Sequence, residues 1–185
     1  FVQLGTTAMN SVDVAMLGHH DPWAMPAMAL GNLLSWGAMV FCMGTVMALD
    51  PLLSQANGAG DHAAVPRLLG RGALLSVVLS IPAALLLLPA DLWLSWLGQP
   101  RELIPAAAAY ARLQALGVLP FLWYSVLRCH LSARARLWPQ VATIVAGNVA
   151  NALLDWVLIF GHLGLPELGA VGAAWATVVC RWLML

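Results

Sequence analysis

The sequence predicts an all-α polytopic membrane protein, a bundle of six transmembrane helices. Three observations carry this. The 185 residues are 62% hydrophobic and only 9% charged, with a mean hydropathy of +0.84, whereas a soluble domain carries roughly a quarter charged residues and under half apolar ones. The apolar residues fall into runs of about 20, the length that crosses a hydrocarbon core. Between the runs stand clusters of glycine, proline and charge, which end helices or make turns.

The runs cover roughly residues 1–18, 25–54, 69–97, 103–131, 139–160 and 169–185, separated by "GHHDPW", "QANGAGDHAAVPR", "GQPRE", "SARARLW" and "GHLGLPELG". Short loops that hold arginine stay cytoplasmic. The second connection holds Arg67 and Arg71, and the fourth Arg134 and Arg136 with Arg128 just before; the first and fifth hold none, and in the third Glu102 offsets Arg101. This places the N-terminus in the cytoplasm, with odd-numbered spans running outward. Trp93, Trp96 and Trp138 stand where an aromatic belt is expected.

All 8 basic residues are arginine, and 8 acids balance them to a formal net charge of zero. No broad positive field exists to hold nucleic acid. Cys42, Cys129 and Cys180 are too scattered for a disulfide framework or a metal site and read as small apolar fillers. The chain opens at Phe1 without a methionine and stops inside an apolar stretch, as a fragment would. Neither end resembles a targeting signal, so the transmembrane helices themselves are expected to direct insertion.

Two of the runs carry polar stripes. Gln3, Thr6, Asn10 and Asp13 recur at spacings of three and four in the first run, and Asn148, Asn151 and Asp155 do so in the fifth, so each set shares one helix face. By 1.5 Å per residue, Asp13 and Asp155 reach similar depth in the outer half of the membrane. A charge near the bilayer centre costs roughly 2.5–3.5 kcal/mol, so such groups turn toward a bundle interior or a wet cavity. A carboxylate there, surrounded by Asn and Thr side chains, can exchange a proton for a cation. The alternative is that the asparagines only join helices through hydrogen bonds worth about 0.6 kcal/mol each.

Other signals have plainer readings. "SQANGAGD", residues 54–61, lacks the Gly-Lys-Ser/Thr of a phosphate loop and reads as a structural hinge. Asp50 is expected to pair with Arg71 or Arg128. His19, His20 and Asp21 lack a third and fourth ligand and read as a solvated turn. Arg112 is either an ion-paired structural residue or a snorkelling one. Trp36, Trp123, Met39, Met43 and Met47 read as packing before they read as an adaptable ligand-binding surface. Pro139, Gly147 and Gly161 are candidate bend points.

Six pieces together resemble the N-terminal half of a multidrug and toxic compound extrusion (MATE) family transporter: "NSVDVAMLG", "ALDPLLSQANGAGD", "LGQP", "YARLQALGVLP", "NVANALLDWVLIFG" and "PELGAVGAAWAT". Each is weak alone, but their order and spacing are specific. The resemblance implies one six-helix lobe of a twelve-helix transporter that exports cationic, often aromatic compounds in exchange for inward H⁺ or Na⁺. It implies a multi-pass protein of the plasma membrane, a bacterial inner membrane, working with a second lobe absent from this chain and with no cofactor beyond the coupling ion. The family's first-helix acid matches Asp13, its fifth-helix asparagine and acid match Asn151 and Asp155, and its sixth-helix threonine matches Thr177. A sodium ion, where sodium couples, would sit at Asp13 and Asp155. Gln3, Thr6, Asn10 and Asn148 would support that site.

Three alternatives stand beside this. A lipid-linked saccharide flippase of the same broad superfamily would favour a basic cavity, which acidic stripes and a near absence of intramembrane arginine oppose. A membrane-embedded enzyme lacks a His-rich metal set, a Cys/His pair and a nucleophile motif. The last is an inert fragment.

Overall fold

The computed structural model describes residues 2–20, 24–162 and 166–185, with the side chains of residues 2–6, 19 and 20 excepted. Among the described residues there are nine helices and no strand: α1 (Val2–His20), α2 (Ala24–Met47), α3 (Leu49–Gly58), α4 (Ala64–Leu87), α5 (Ala90–Trp96), α6 (Ile104–Ala115), α7 (Val118–Ala133), α8 (Leu137–Phe160) and α9 (Gly169–Leu183).

Three of the apolar runs are therefore each broken into two helices, and proline explains where. A proline ring clashes with the carbonyl four residues earlier and offers that carbonyl no N–H. Pro51 sets its break at Met47, where α2 gives way to α3; Pro120 sets its break at Leu116, between α6 and α7; Pro89 stands in the step from α4 to α5. The second run extends to Gly58 rather than Ser54, and the third begins at Ala64 rather than Leu69. Asp61, from the expected hinge, caps α4 by accepting the backbone N–H groups of Ala63 and Ala64 at 3.1 and 3.0 Å.

The distribution of side chains is that of a protein solvated by lipid. Leu33, Phe41 and Trp138 are 70%, 78% and 78% exposed, while Gln114, Asn151 and Asp155 are fully buried. The helical runs Ala24–Gly58, Ala64–Leu87 and Leu137–Phe160 are each long and apolar enough to cross a membrane. This is an all-helical membrane domain.

Within the bundle α8 packs on both α9 and α1, α2 on α6, and α4 on α7. Small residues let backbones approach. A Cβ on Gly172 of α9 would stand 2.6 Å from the Leu158 carbonyl of α8, and one on Gly31 of α2 would stand 2.6 Å from the Ala107 carbonyl of α6. The main apolar core lies among α2 to α7, with Leu53, Leu87, Leu94, Val118 and Leu122 at its centre. A smaller cluster, including Leu17, Tyr110, Ile159, Ala173 and Ala174, flanks the polar interior.

Several expectations change here. Gly161 is not a bend within a helix but the left-handed cap that ends α8, at φ 69°. Pro139 stands in the first turn of α8, where its missing N–H leaves no bond unmade, and Gly147 is a buried contact against Met184 of the last turn. No ion pair joins Asp50 to Arg71 or Arg128 among the described residues. Arg112 resolves to an ion pair with Asp91 of α5 and an Nε–H bond to the Leu88 carbonyl at 2.9 Å, on a half-exposed surface. The side chains of His19 and His20, and the whole of Asp21, lie outside the described residues.

Candidate functional site

The polar stripe of α8 meets α1 and α9 in the bundle interior. Asn148, Asn151 and Asp155 rise one turn apart, and α8 sits between the other two helices, so Asn151 and Asp155 point into the seam. Asn151 donates its side-chain amide to a carboxylate oxygen of Asp13 on α1 and to one of Asp155 on its own helix. Thr177 of α9 closes the group, its hydroxyl 3.3 Å from the other Asp13 oxygen and 2.9 Å from the Ala173 carbonyl. Asp13, Asn151, Asp155 and Thr177 are all buried. Because both acids accept from one nitrogen, those two oxygens lie within two hydrogen-bond lengths, about 6 Å.

The arrangement is short of donors. A hydroxyl carries one proton and an amide two. The second oxygen of Asp155 and the carbonyl oxygen of Asn151 are buried without a hydrogen-bond partner. Two carboxylates and a bare amide oxygen in a buried pocket would suit a positive charge, since buried acceptors are normally satisfied and like charges repel strongly at low dielectric. A proton on one acid would supply a donor; a small hard cation such as Na⁺ takes oxygen ligands of these types.

Asp13 also faces a central cavity of about 80 Å³ that reaches Asn10, Asn32, Trp36, Tyr110 and Phe121. This is room for several waters or for one end of an organic ion. Asn32 of α2 donates to Asn10 across the wall at 3.0 Å. Asn148 lines the cavity but turns its amide to the Ile144 carbonyl of its own helix at 2.8 Å. The side chains of Gln3 and Thr6, expected to support the site, lie outside the described residues. Of the residues read as packing, Trp36 faces the cavity and Met39 lies in the core.

The near absence of intramembrane arginine has one exception. The interior is not free of arginine: Arg181, in the last turn of α9, lines this cavity. Its Nη1 donates to Gln114 Oε1 at 2.7 Å, and its guanidinium lies 5.5 Å from the Phe121 ring centroid. The fully buried Gln114 is in turn oriented by donating its side-chain amide N–H to the Tyr110 hydroxyl oxygen, at 2.9 Å. Sequence reasoning missed Arg181, Gln114, Tyr110 and Asn32. Spacing was the available signal: Arg181 is one turn beyond Thr177, and Gln114 one turn beyond Tyr110. A single arginine opposite acids is still not the basic cavity a pyrophosphate carrier favours.

The chain matches the MatE family model over residues 1–157. It is 36% identical to the multidrug resistance protein PmpM of Pseudomonas aeruginosa, an alignment that covers 98% of this chain and 38% of that protein. It is 34% identical to a probable multidrug resistance protein NorM of Mesorhizobium japonicum, covering 98% and 39%. The chain thus spans about two fifths of the length of the curated relatives it matches. Among solved structures, a MATE protein in its straight conformation superposes with a TM-score of 0.86 at 23% identity, over 99% of this chain and 40% of that one. An inward-facing multidrug resistance MATE family transporter gives 0.83 at 23% identity, over 96% and 40%.

Proposed function

Since the chain belongs to the MATE family, one of transporters rather than enzymes, we propose that it is the cation-coupling lobe of a secondary exporter, moving organic cations outward against inward H⁺ or Na⁺. One observation carries this reading: a single amide, that of Asn151, holds the carboxylates of Asp13 and Asp155 in one buried, donor-poor pocket. The multidrug resistance named for PmpM and NorM supports the cargo class. The full transporter would include a second lobe that completes the cavity wall.

The mechanism follows from charge. With both acids ionised, the pocket attracts a cation, and an organic cation in the cavity can approach Asp13. A proton or Na⁺ arriving on the acids removes one of their two negative charges and gives a bare oxygen a partner, so α1, α8 and α9 pack more tightly and the organic ion is held less strongly and leaves. A ligand shifts a conformational equilibrium only by its differential affinity for the two states, and here the difference is that one charge. With the N-terminus in the cytoplasm, the acids lie in the outer half of the membrane, where an inward-moving ion enters.

Proteoliposomes of the full-length protein, loaded with a fluorescent organic cation and given a pH step and a sodium step separately, test the proposal. Efflux is expected on at least one step in the wild type and on neither in Asp13→Asn or Asp155→Asn. Normal efflux by either variant removes that acid from the mechanism.

A further inference from the structure

We propose that the arginine-bearing end of α3, α4 and α7 binds the phosphate of an anionic phospholipid, whose acyl chains lie along the outer face of α4. That face reads Arg67, Arg71, Leu74, Val78, Ile81 and Leu85, at alternating spacings of four and three, so the six side chains share one side of the helix. All six are exposed. Two cations stacked above four apolar side chains repeat, in order, the headgroup and tail of a lipid. Arg67 gives its Nε–H to the Ala63 carbonyl at 3.0 Å, and among the described residues no carboxylate lies in ion-pair range of Arg67 or Arg71. Their forks are open to an outside anion.

Neighbouring helices bring further donors to the same depth. A Cβ on Gly72 would meet Leu49 of α3 and Val126 of α7 together, which sets those three residues at one level. From there α3 and α7 run on toward the end where α4 starts, with Ala56 and Ala133 both against the main core. At 1.5 Å per residue, Arg67 lies about 7.5 Å beyond that level, and Asn57 and Arg134 each about 12 Å beyond it. The three stand within one helical turn in depth. The Asn57 amide nitrogen is buried without a hydrogen-bond partner, where donors are normally satisfied. Trp138, at the same end of the bundle, is largely exposed and fits the aromatic belt, so this depth is that of headgroups. A phosphate there answers the arginines and the amide at once. A zwitterionic lipid brings an ammonium beside its phosphate, which the arginines repel.

Full-length protein, stripped of lipid in detergent, is titrated with phosphatidylglycerol and with phosphatidylcholine of the same acyl chains, and bound lipid is counted by native mass spectrometry. The wild type is expected to bind phosphatidylglycerol the more tightly. R71Q should weaken that binding roughly fivefold and R67Q/R71Q roughly 25-fold, the scale of one and two arginines at an anionic surface, with phosphatidylcholine unchanged. R136Q removes an equal charge from the same end of the bundle but off the α4 face, and should cost less than about twofold. R67K/R71K, which keeps the charge without the planar fork, should give a smaller loss, and it decides the matter if R67Q/R71Q does not fold. Equal losses in R71Q and R136Q would mean a diffuse positive surface and overturn the site, as would equal affinity for the two lipids. Displacement of the lipid by glycerol phosphate at matched concentration would make a free phosphate the ligand and overturn the lipid. No bound lipid at all, as when the second lobe covers this face of α4, overturns it too.

Discussion

The two sides of this bundle bury polar groups in opposite ways. Among α2, α4 and α7, buried serines keep their hydrogen bonds at home: Ser35 donates to the Gly31 carbonyl, Ser76 to Gly72 and Ser125 to Phe121, each four residues back on the same helix. Across α1, α8 and α9, Asn151 reaches Asp13 and Thr177 reaches Asp13, bonds between helices far apart in sequence. Local bonds leave packing indifferent to charge, because each of these serines is satisfied within its own helix. Bonds between helices make the packing of α1, α8 and α9 depend on what the acids carry. On the proposed reading, one side is a frame and the other responds to ions.

The widest test of this contrast is Asn151→Leu, which removes the shared donor without touching either acid. Coupled efflux should fall to background while the protein still inserts, as measured by vesicle flux and by detergent-resistant monodispersity. Efflux at the wild-type rate would show that the acids act without a common bridge. On the frame side, Leu122→Ala opens a cavity beside a fully buried side chain and should cost about 2–5 kcal/mol of stability. It should lower the thermal midpoint yet leave the ion that drives each surviving molecule unchanged. A switch in coupling ion would erase the division between frame and responder.

Gly172→Ala comes next. Its methyl would press on the Leu158 carbonyl at 2.6 Å, and overpacking of this kind costs about 1–3 kcal/mol. Since the strain falls on the α8–α9 seam, it should disturb ion dependence as well as stability, unlike Leu122→Ala. The smallest effect is expected at Arg112→Ala, whose half-exposed pair with Asp91 should contribute less than about 1 kcal/mol and leave flux intact.

Much of the responsive side was legible in the sequence. Asn and Asp at three- and four-residue spacing in apolar runs have few places to go but inward, and Asp13, Asn151, Asp155 and Thr177 meet within hydrogen-bond reach. What could not be read was which residues on different helices face each other. Arg181 sits near the end of an apolar run, where an arginine is usually taken to snorkel toward headgroups; only the break at Gly117 shows it has an inward seat. Asn32 looks isolated until α2 is laid beside α1. The helix breaks were written in Pro51, Pro89 and Pro120, but a run of apolar residues long enough to cross a membrane hid the interruption.

If the proposed exchange holds, the paired acids would also set its gearing. Each elementary charge that falls through 100 mV releases about 2.3 kcal/mol, equivalent to a concentration ratio of roughly 40-fold. With the coupling ion equally concentrated on both sides, that ratio is the ceiling for an uncharged net cargo if one ion resets Asp13 and Asp155 together; if each acid takes its own, the ceiling is squared. Two carboxylates on one amide thus translate into a number that a reversal-potential measurement can read directly.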